Sequence, residues 1–336
     1  MDRFVDQLAE WLEPAGTAGG PTKSFTIGPG EELHEVSQRL AQGGVVRNPL
    51  LLRLLLRYHG LDREVRAGRY SLSSDVSLSE LVRTLVVGQI ELVRVTVPEG
   101  WRAEEIAALL EKTHVASGEE FLSLVHTPGH PPLTTRMVAP SLEGFLFPDT
   151  YLVPRDFGAR AFLDLMLQTF EAKVRSEQVT PSVGGVSPSS GLHPTLSFYD
   201  QVVLASVVER EAKIPEERSP IAATFLNRLR DEMYLAADPT VQYALAPAFL
   251  PAPPWGYWKR ELTTEDLRVS SPYNTYTVRG LPPTPIANPG LAALAAVMNP
   301  EPGPYRFFVA KSDGSHAFGV TFEEHMSNVS RYQGER

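Results

Sequence analysis

The chain has 336 residues, 43% of them apolar, which is enough for one or two packed cores, and a formal net charge of −9. That balance argues against a nucleic-acid groove, which needs clustered Lys and Arg. Cysteine is absent, which excludes disulfides and any cysteine-based metal site or nucleophile.

At the start, Phe4, Leu8, Trp11 and Leu12 give a short amphipathic pattern, and Pro14 to Thr22 reads as a flexible tether. No apolar run reaches the roughly 18 to 20 residues a bilayer requires, since Leu50–Leu56 is short and broken by Arg53. No basic-then-apolar signal peptide opens the chain either. A weak internal repeat follows. Phe25-Thr26-Ile27-Gly28-Pro29-Gly30 leads into a helix carrying Glu35, Val36 and Leu40, and Val95–Gly100 leads into Glu105, Ile106 and Leu110. Each copy reads as a short strand, a glycine turn and an amphipathic helix. Between them, Ala67–Leu72 reads as a strand and Ser77–Leu85 as a short helix. His126 and His130 are four apart, but Pro128-Gly129 prevents a shared helix face, so no metal is expected. A helix is expected around Ala161–Arg175, then a Ser-, Gly- and Pro-rich surface loop over Val179–Pro194.

The next helix carries the chemistry. Ser197 and Asp200 have the spacing of a capping box, and Pro215 marks the far end. At about 100° per residue, Leu204, Val207, Val208 and Glu211 share a face, with Glu209 nearly opposite, beside Val202 and Ser206. A carboxyl ending an apolar face loses hydration and holds its proton, which suits a general acid near neutral pH. The same pattern also fits a surface charge at Glu211, with Glu209 paired to Lys213.

Farther on, Pro247–Gly256 is irregular and rich in Pro and Ala, with Trp255 and Trp258 placed either to pack or to stack on a ligand. Asn288-Pro289 has the N-cap and first-position residues of a helix through Leu291–Met298. Tyr305–Ala310 and His316–Val320 alternate around Ser312-Asp313-Gly314 as a hairpin, and Thr321–Glu324 opens a last helix. Short strands mixed with short helices, without regular βαβ alternation, predict an α+β fold.

Several motifs stand in a distinctive order: Leu142-Glu143-Gly144-Phe145-Leu146-Phe147-Pro148-Asp149-Thr150-Tyr151, Leu204–Glu211, Phe225–Leu229, Ala237–Tyr243, Ser271–Tyr276, Gly280–Pro283 and Ile286–Gly290. The set, spread from about Phe25 to Tyr332, resembles the endolytic murein transglycosylase family, bacterial enzymes that cut peptidoglycan glycan strands. The resemblance implies a flexible juxtamembrane segment over 1–23, a LysM-like β/α module over 24–92 and a catalytic domain over 93–336. It also implies a single-pass anchor ahead of this sequence, with the rest extracytoplasmic. The implied reaction cleaves between MurNAc and GlcNAc, leaves 1,6-anhydro-MurNAc ends and ends strand elongation, with glycan strands as substrate and peptidoglycan synthases as partners. No cofactor is implied.

By the same resemblance Glu211 is the catalytic acid and base, and its Glu211-Ala212 step is similar to the Glu-Ser or Glu-Thr step of other lytic transglycosylases. A lytic transglycosylase needs only one such group, whereas hydrolytic glycosidases use two carboxylates. Glu143, Asp149, Tyr151, Asn227, Arg228, Asp238, Thr240, Gln242, Tyr273, Asn274, Thr275 and Tyr276 are the implied substrate-binding residues. Two alternatives remain open. One is a hydrolytic muramidase using Glu211 with an Asp such as Asp238. The other is a non-catalytic wall-binding protein built on the LysM-like unit.

Overall fold

The computed structural model describes residues 22–28, 30–87, 92–133, 138–176, 196–246 and 256–334. The Phe4–Leu12 pattern, the Val179–Pro194 stretch and Trp255 lie outside the described residues. The chain divides into two compact units, Met1–Leu92 and Val93–Arg336.

In the first unit, β1 (Thr22–Ile27) pairs antiparallel with β2 (Gly68–Ser73), with Phe25 opposite Tyr70 and Ile27 opposite Gly68. Between them run α1 (Leu33–Gln42) and α2 (Pro49–Tyr58), and α3 (Leu78–Val87) follows. The Asn48 side chain accepts the Leu50 and Leu51 N–H groups, and Pro49, which has no N–H to satisfy, starts α2. Val36 and Leu40, Leu52 and Leu56, and Leu81 and Leu85 repeat at i and i+4. Each helix thereby turns one stripe onto the inward faces of Tyr70 and Leu72.

The second unit opens within β3 (Leu92–Thr96), which pairs with β4 (Thr150–Pro154). Its first core joins these strands to α4 (Ala103–Lys112), α5 (Gly118–Val125) and α6 (Ala159–Ser176) through Val95, Ile106, Leu110, Phe121, Phe162 and Met166. The internal repeat is present: β1 leads through Gly30 into α1 and β3 leads through Gly100 into α4, and both glycines adopt left-handed backbone, at φ 74° and 75°.

The second core surrounds α7 (Phe198–Glu211), capped by Ser197 and Asp200 as the spacing predicts. Every residue from Val202 to Val208 is buried, so α7 is enclosed on all sides and not along one face only. The helices α8 (Arg218–Arg230), α9 (Asp238–Leu245) and α10 (Leu291–Met298) pack around it. A hairpin of β5 (Phe307–Ala310) and β6 (His316–Gly319) follows, with Phe308 opposite Phe318, and α11 (Phe322–Gln333) closes the chain. The α+β architecture is as expected.

One boundary is corrected. The helix expected from Asn288-Pro289 starts at Leu291 with Gly290 as its cap, because Asn288 is drawn into the interior by other partners. Among the described residues, no helix is long and apolar enough to cross a membrane.

Candidate active site

Glu211 closes α7, at the edge of the second core. Its side chain keeps part of its surface but is so enclosed that its pKa is pushed up to about 8. Burial is the main cause and the charge of Asp238 adds to it, while Arg228 and Lys213 oppose. Among the described residues no hydrogen bond or ion pair engages its carboxyl. Glu211 is therefore a protonated acid at neutral pH with both oxygens uncommitted.

Three of the expected residues cluster electrostatically with it. Asp238 is exposed at the start of α9 and accepts the Tyr276 hydroxyl proton at 2.6 Å. Burial first, and then Asp238, hold the Tyr276 phenol far above its ordinary range. Arg228 on α8 donates from Nε to the Arg306 carbonyl at 2.6 Å and from Nη1 to the Leu235 carbonyl. Its partners are neutral carbonyls, so its positive charge remains available to Glu211.

Most other expected site residues build the walls. Thr240 and Thr275 are buried and share a hydroxyl contact of 2.8 Å, and Thr275 Oγ1 accepts the Ala237 N–H at 3.1 Å. Asn274 donates to the Leu267 and Val269 carbonyls at 3.0 and 2.8 Å and accepts the Tyr276 N–H at 3.0 Å. Together these bonds fix the loop bearing Tyr276 against the start of α9. Asn227 donates to the Gly303 and Tyr305 carbonyls, both at 2.8 Å, which holds the approach to β5. Gln242 donates to the Lys259 carbonyl at 2.6 Å. Tyr273 remains half-buried, with its hydroxyl 2.8 Å from Thr284 Oγ1.

The upstream signature serves other partners. Glu143 has no exposed surface: it accepts the Ala103 N–H at 3.1 Å and the Asn288 amide at 2.6 Å. Tyr151 is buried in the first core, donating to the Phe147 carbonyl at 2.5 Å. Asp149 bonds the Thr150 N–H at 2.7 Å and pairs with Lys173 at 3.2 Å. None of the three is brought to Glu211 by a bond or a charge contact.

Glu209 also departs from expectation. It pairs with Arg218 at 3.1 Å and accepts the Gly290 N–H at 3.1 Å, with its side chain only 5% exposed. Next to it, the Arg210 guanidinium lies 3.8 Å over the Trp258 ring, and the Trp258 indole donates to Glu105 at 2.9 Å. Trp258 is thus committed to packing. These contacts tie the end of α7 to the loops around Gly100 and Gly290.

Sequence reasoning missed two polar residues that organise this unit. Asn288 accepts the Gly144 and Leu146 N–H groups at 2.8 and 3.1 Å and donates to Trp101 and Glu143. Arg102 is fully buried, bonded to buried Glu104 at 2.9 Å and stacked 4.1 Å over Tyr243. Charged residues are rarely so buried, and nothing in the spacing of Arg102 signals it. For Asn288, membership in the Ile286–Gly290 motif is the available signal, although its local sequence is that of a helix cap.

Arg102 and Tyr243 also line a cleft of about 410 Å³, with His126, Ser271, Tyr273 and Thr284 on its other walls. Glu211 is not among its lining residues; α9 and the 271–276 loop connect the two places.

An α+β unit with a partly exposed carboxylic acid at the end of a core helix, unpartnered among the described residues, has the constitution of an enzyme that donates protons. The YceG-like family profile matches residues 25–331, and the chain belongs to that family. It is 28% identical to the endolytic murein transglycosylase of Bacillus subtilis, covering 96% of this chain and 88% of that protein. The endolytic murein transglycosylase of Streptococcus pneumoniae D39 is 25% identical, over 92% of this chain. The chain spans only 58% of that longer protein. A crystal structure of a yceG-like protein from Listeria monocytogenes matches with a TM-score of 0.57 at 26% identity, covering 91% of this chain and 98% of that one.

Proposed function

We propose that this protein is a lytic transglycosylase that cuts murein glycan strands internally, with Glu211 as its single acid and base. The observation that carries the reading is the Glu211 carboxyl itself, which holds a proton to about pH 8, lacks a hydrogen-bond partner among the described residues and keeps solvent contact. Relatives named endolytic murein transglycosylase give the substrate class.

In the proposed reaction Glu211 gives its proton to the oxygen linking MurNAc C1 to the next GlcNAc, and the C1–O bond breaks. The sugar develops positive charge at C1. Glu211, now a carboxylate, stabilises that charge and then removes the proton from the muramic C6 hydroxyl, whose oxygen bonds C1. The product is a 1,6-anhydro end, and Glu211 is protonated again. Asp238 adds negative charge near the site, and Tyr276 fixes its carboxylate. Asn274, Thr240 and Thr275 support that pair from below. Arg228 limits how far the Glu211 pKa climbs, so that the carboxylate remains reachable during the cycle.

A second reading, a hydrolytic muramidase, is favoured by one observation: Asp238 lies close enough to raise the Glu211 pKa and is exposed, as a base that activates water must be. Mass spectrometry of the products from purified glycan strands separates the two. The transglycosylase leaves ends lighter by one water than the reducing ends that hydrolysis leaves. No turnover at all would leave the wall-binding alternative.

The wider reading is that the enzyme works outside the cytoplasm at the cell membrane, ends elongation of nascent strands beside peptidoglycan synthases, and uses its first unit as a LysM-like glycan-binding module. Crosslinking in intact cells, together with glycan pull-down by residues 22–92, tests these points.

A further inference from the structure

The cleft beside Arg102 holds donors without acceptors. Arg102 spends Nε on Glu104 at 2.9 Å, while its buried Nη1 has no partner. The Tyr243 hydroxyl has no hydrogen-bond partner among the described residues. Ser271 Oγ accepts the Tyr273 N–H at 3.2 Å and keeps its own proton to give. A buried guanidinium donor left unmade is costly, which points to an occupant that brings an acceptor.

Charge decides which acceptor. Arg102 and Glu104 neutralise one another, and Glu143 behind them, its pKa lifted to about 8 by burial and by Glu104, keeps its proton at neutral pH. An incoming carboxylate would compete with Glu104 for Arg102 and His126, the two basic side chains of the wall, which face Glu104 at 2.9 and 3.5 Å, whereas a neutral carbonyl oxygen would not. Beside the polar His126, Ser141, Tyr273 and Thr284, the wall has an apolar part made of Pro140, Pro272, Ala244 and Ala246. An amide carbonyl carrying a methyl group satisfies both sides of such a cleft.

Position ties the cleft to the acid. Asp238, whose charge reaches Glu211, opens α9, and Tyr243 lies five residues along the same helix, about 7.5 Å of axial rise. The 271–276 loop likewise carries Tyr273 on the cleft wall and Tyr276 beside Asp238. We infer that the cleft is a subsite for the acetamido group of an N-acetylated sugar next to the scissile bond. The carbonyl accepts from Arg102 and Tyr243, and the methyl lies on the prolines and alanines. This rests on the glycan-cleaving reading and adds to it a requirement for N-acetylation.

The test is calorimetric titration of the full-length Glu211→Gln protein with chitotetraose, with its fully de-N-acetylated counterpart, and with a free stem peptide, in salt sufficient to screen the added amines. Chitotetraose should bind at least tenfold more tightly than the de-N-acetylated oligomer, and the peptide should not bind. Adding Tyr243→Phe should weaken chitotetraose about three- to tenfold, the value of one neutral hydrogen bond, and leave the de-N-acetylated oligomer unchanged. Adding Ala244→Phe, which fills the cleft, should abolish chitotetraose binding with the thermal transition retained. Equal binding of the two oligomers, no binding of chitotetraose, binding of the peptide alone, or a folded Ala244→Phe variant with undiminished affinity would each overturn the subsite. The outcomes also separate from the activity: turnover by the wild-type enzyme without acetyl dependence removes the subsite alone. Intact acetyl-dependent binding without any turnover removes the proposed reaction alone.

Discussion

Glu211 and Glu143 have pKa values lifted alike, to about 8, and opposite circumstances. Glu143 lies in the Leu142–Tyr151 signature, has no exposed surface, and is held by the Ala103 N–H and the Asn288 amide. Glu211 lies at a helix end with some surface and no hydrogen-bond partner among the described residues. Burial raises both, so a lifted pKa does not by itself separate a catalytic acid from a structural one. Partnering and access make the difference: one carboxyl is occupied by the fold, the other is available to a substrate.

The largest expected effect sharpens that contrast. Glu211→Gln should lower turnover about 10³- to 10⁴-fold, as follows from the proposal that one group performs both proton transfers. The same variant should fold well. A carboxyl whose folded pKa is about 8 against an ordinary 4.5 contributes stability that is present below pH 4.5 and lost as pH rises through 8. Urea melts should therefore show Glu211→Gln gaining on the wild-type enzyme across that window; a constant difference would contradict the lifted pKa.

The Glu143 side of the comparison is tested through its partner. Asn288→Ala leaves the Gly144 and Leu146 N–H groups without their bonds and Glu143 with the Ala103 N–H alone, and should cost about 3 to 5 kcal/mol in denaturant unfolding. A loss below about 1 kcal/mol would mean that this hub is not what holds the signature in place.

The pH profile comes next in size. If the protonated Glu211 starts the reaction, kcat/KM should fall about tenfold per unit above pH 8, reaching about a hundredfold by pH 10. A flat alkaline limb would assign the acid elsewhere. The smallest effect belongs to Glu209→Gln, which keeps an acceptor for Gly290 but weakens the Arg218 pair. It should cost about 1 to 2 kcal/mol of stability and change turnover less than fivefold, because Glu99 lies 3.6 Å from Arg218 and takes up part of the charge.

Local signals in the sequence were legible wherever short-range physics decides: the Ser197–Asp200 cap, the β5–β6 hairpin, and the strand and helix around Gly68–Val87. Glu211 was legible as a candidate, since it ends a run of apolar residues. What its neighbours do was not. Asn288 had the local features of a cap, yet long-range bonds to Gly144 and Trp101 outweighed them. Arg102 and Glu104 resemble solvated charges at a helix start until the fold encloses them together. Glu209 has a local partner in Lys213 at i+4, yet the fold gives it Arg218 and the Gly290 N–H instead. Each miss has one cause: tertiary partners far apart in sequence override a local pattern.

The most direct test is product analysis of glycan strands digested by the wild-type, Glu211→Gln and Glu143→Gln proteins, each shown to be folded. The account predicts 1,6-anhydro ends from the wild type and from Glu143→Gln, and none above background from Glu211→Gln. Anhydro ends persisting in Glu211→Gln, or lost in a folded Glu143→Gln, would contradict it.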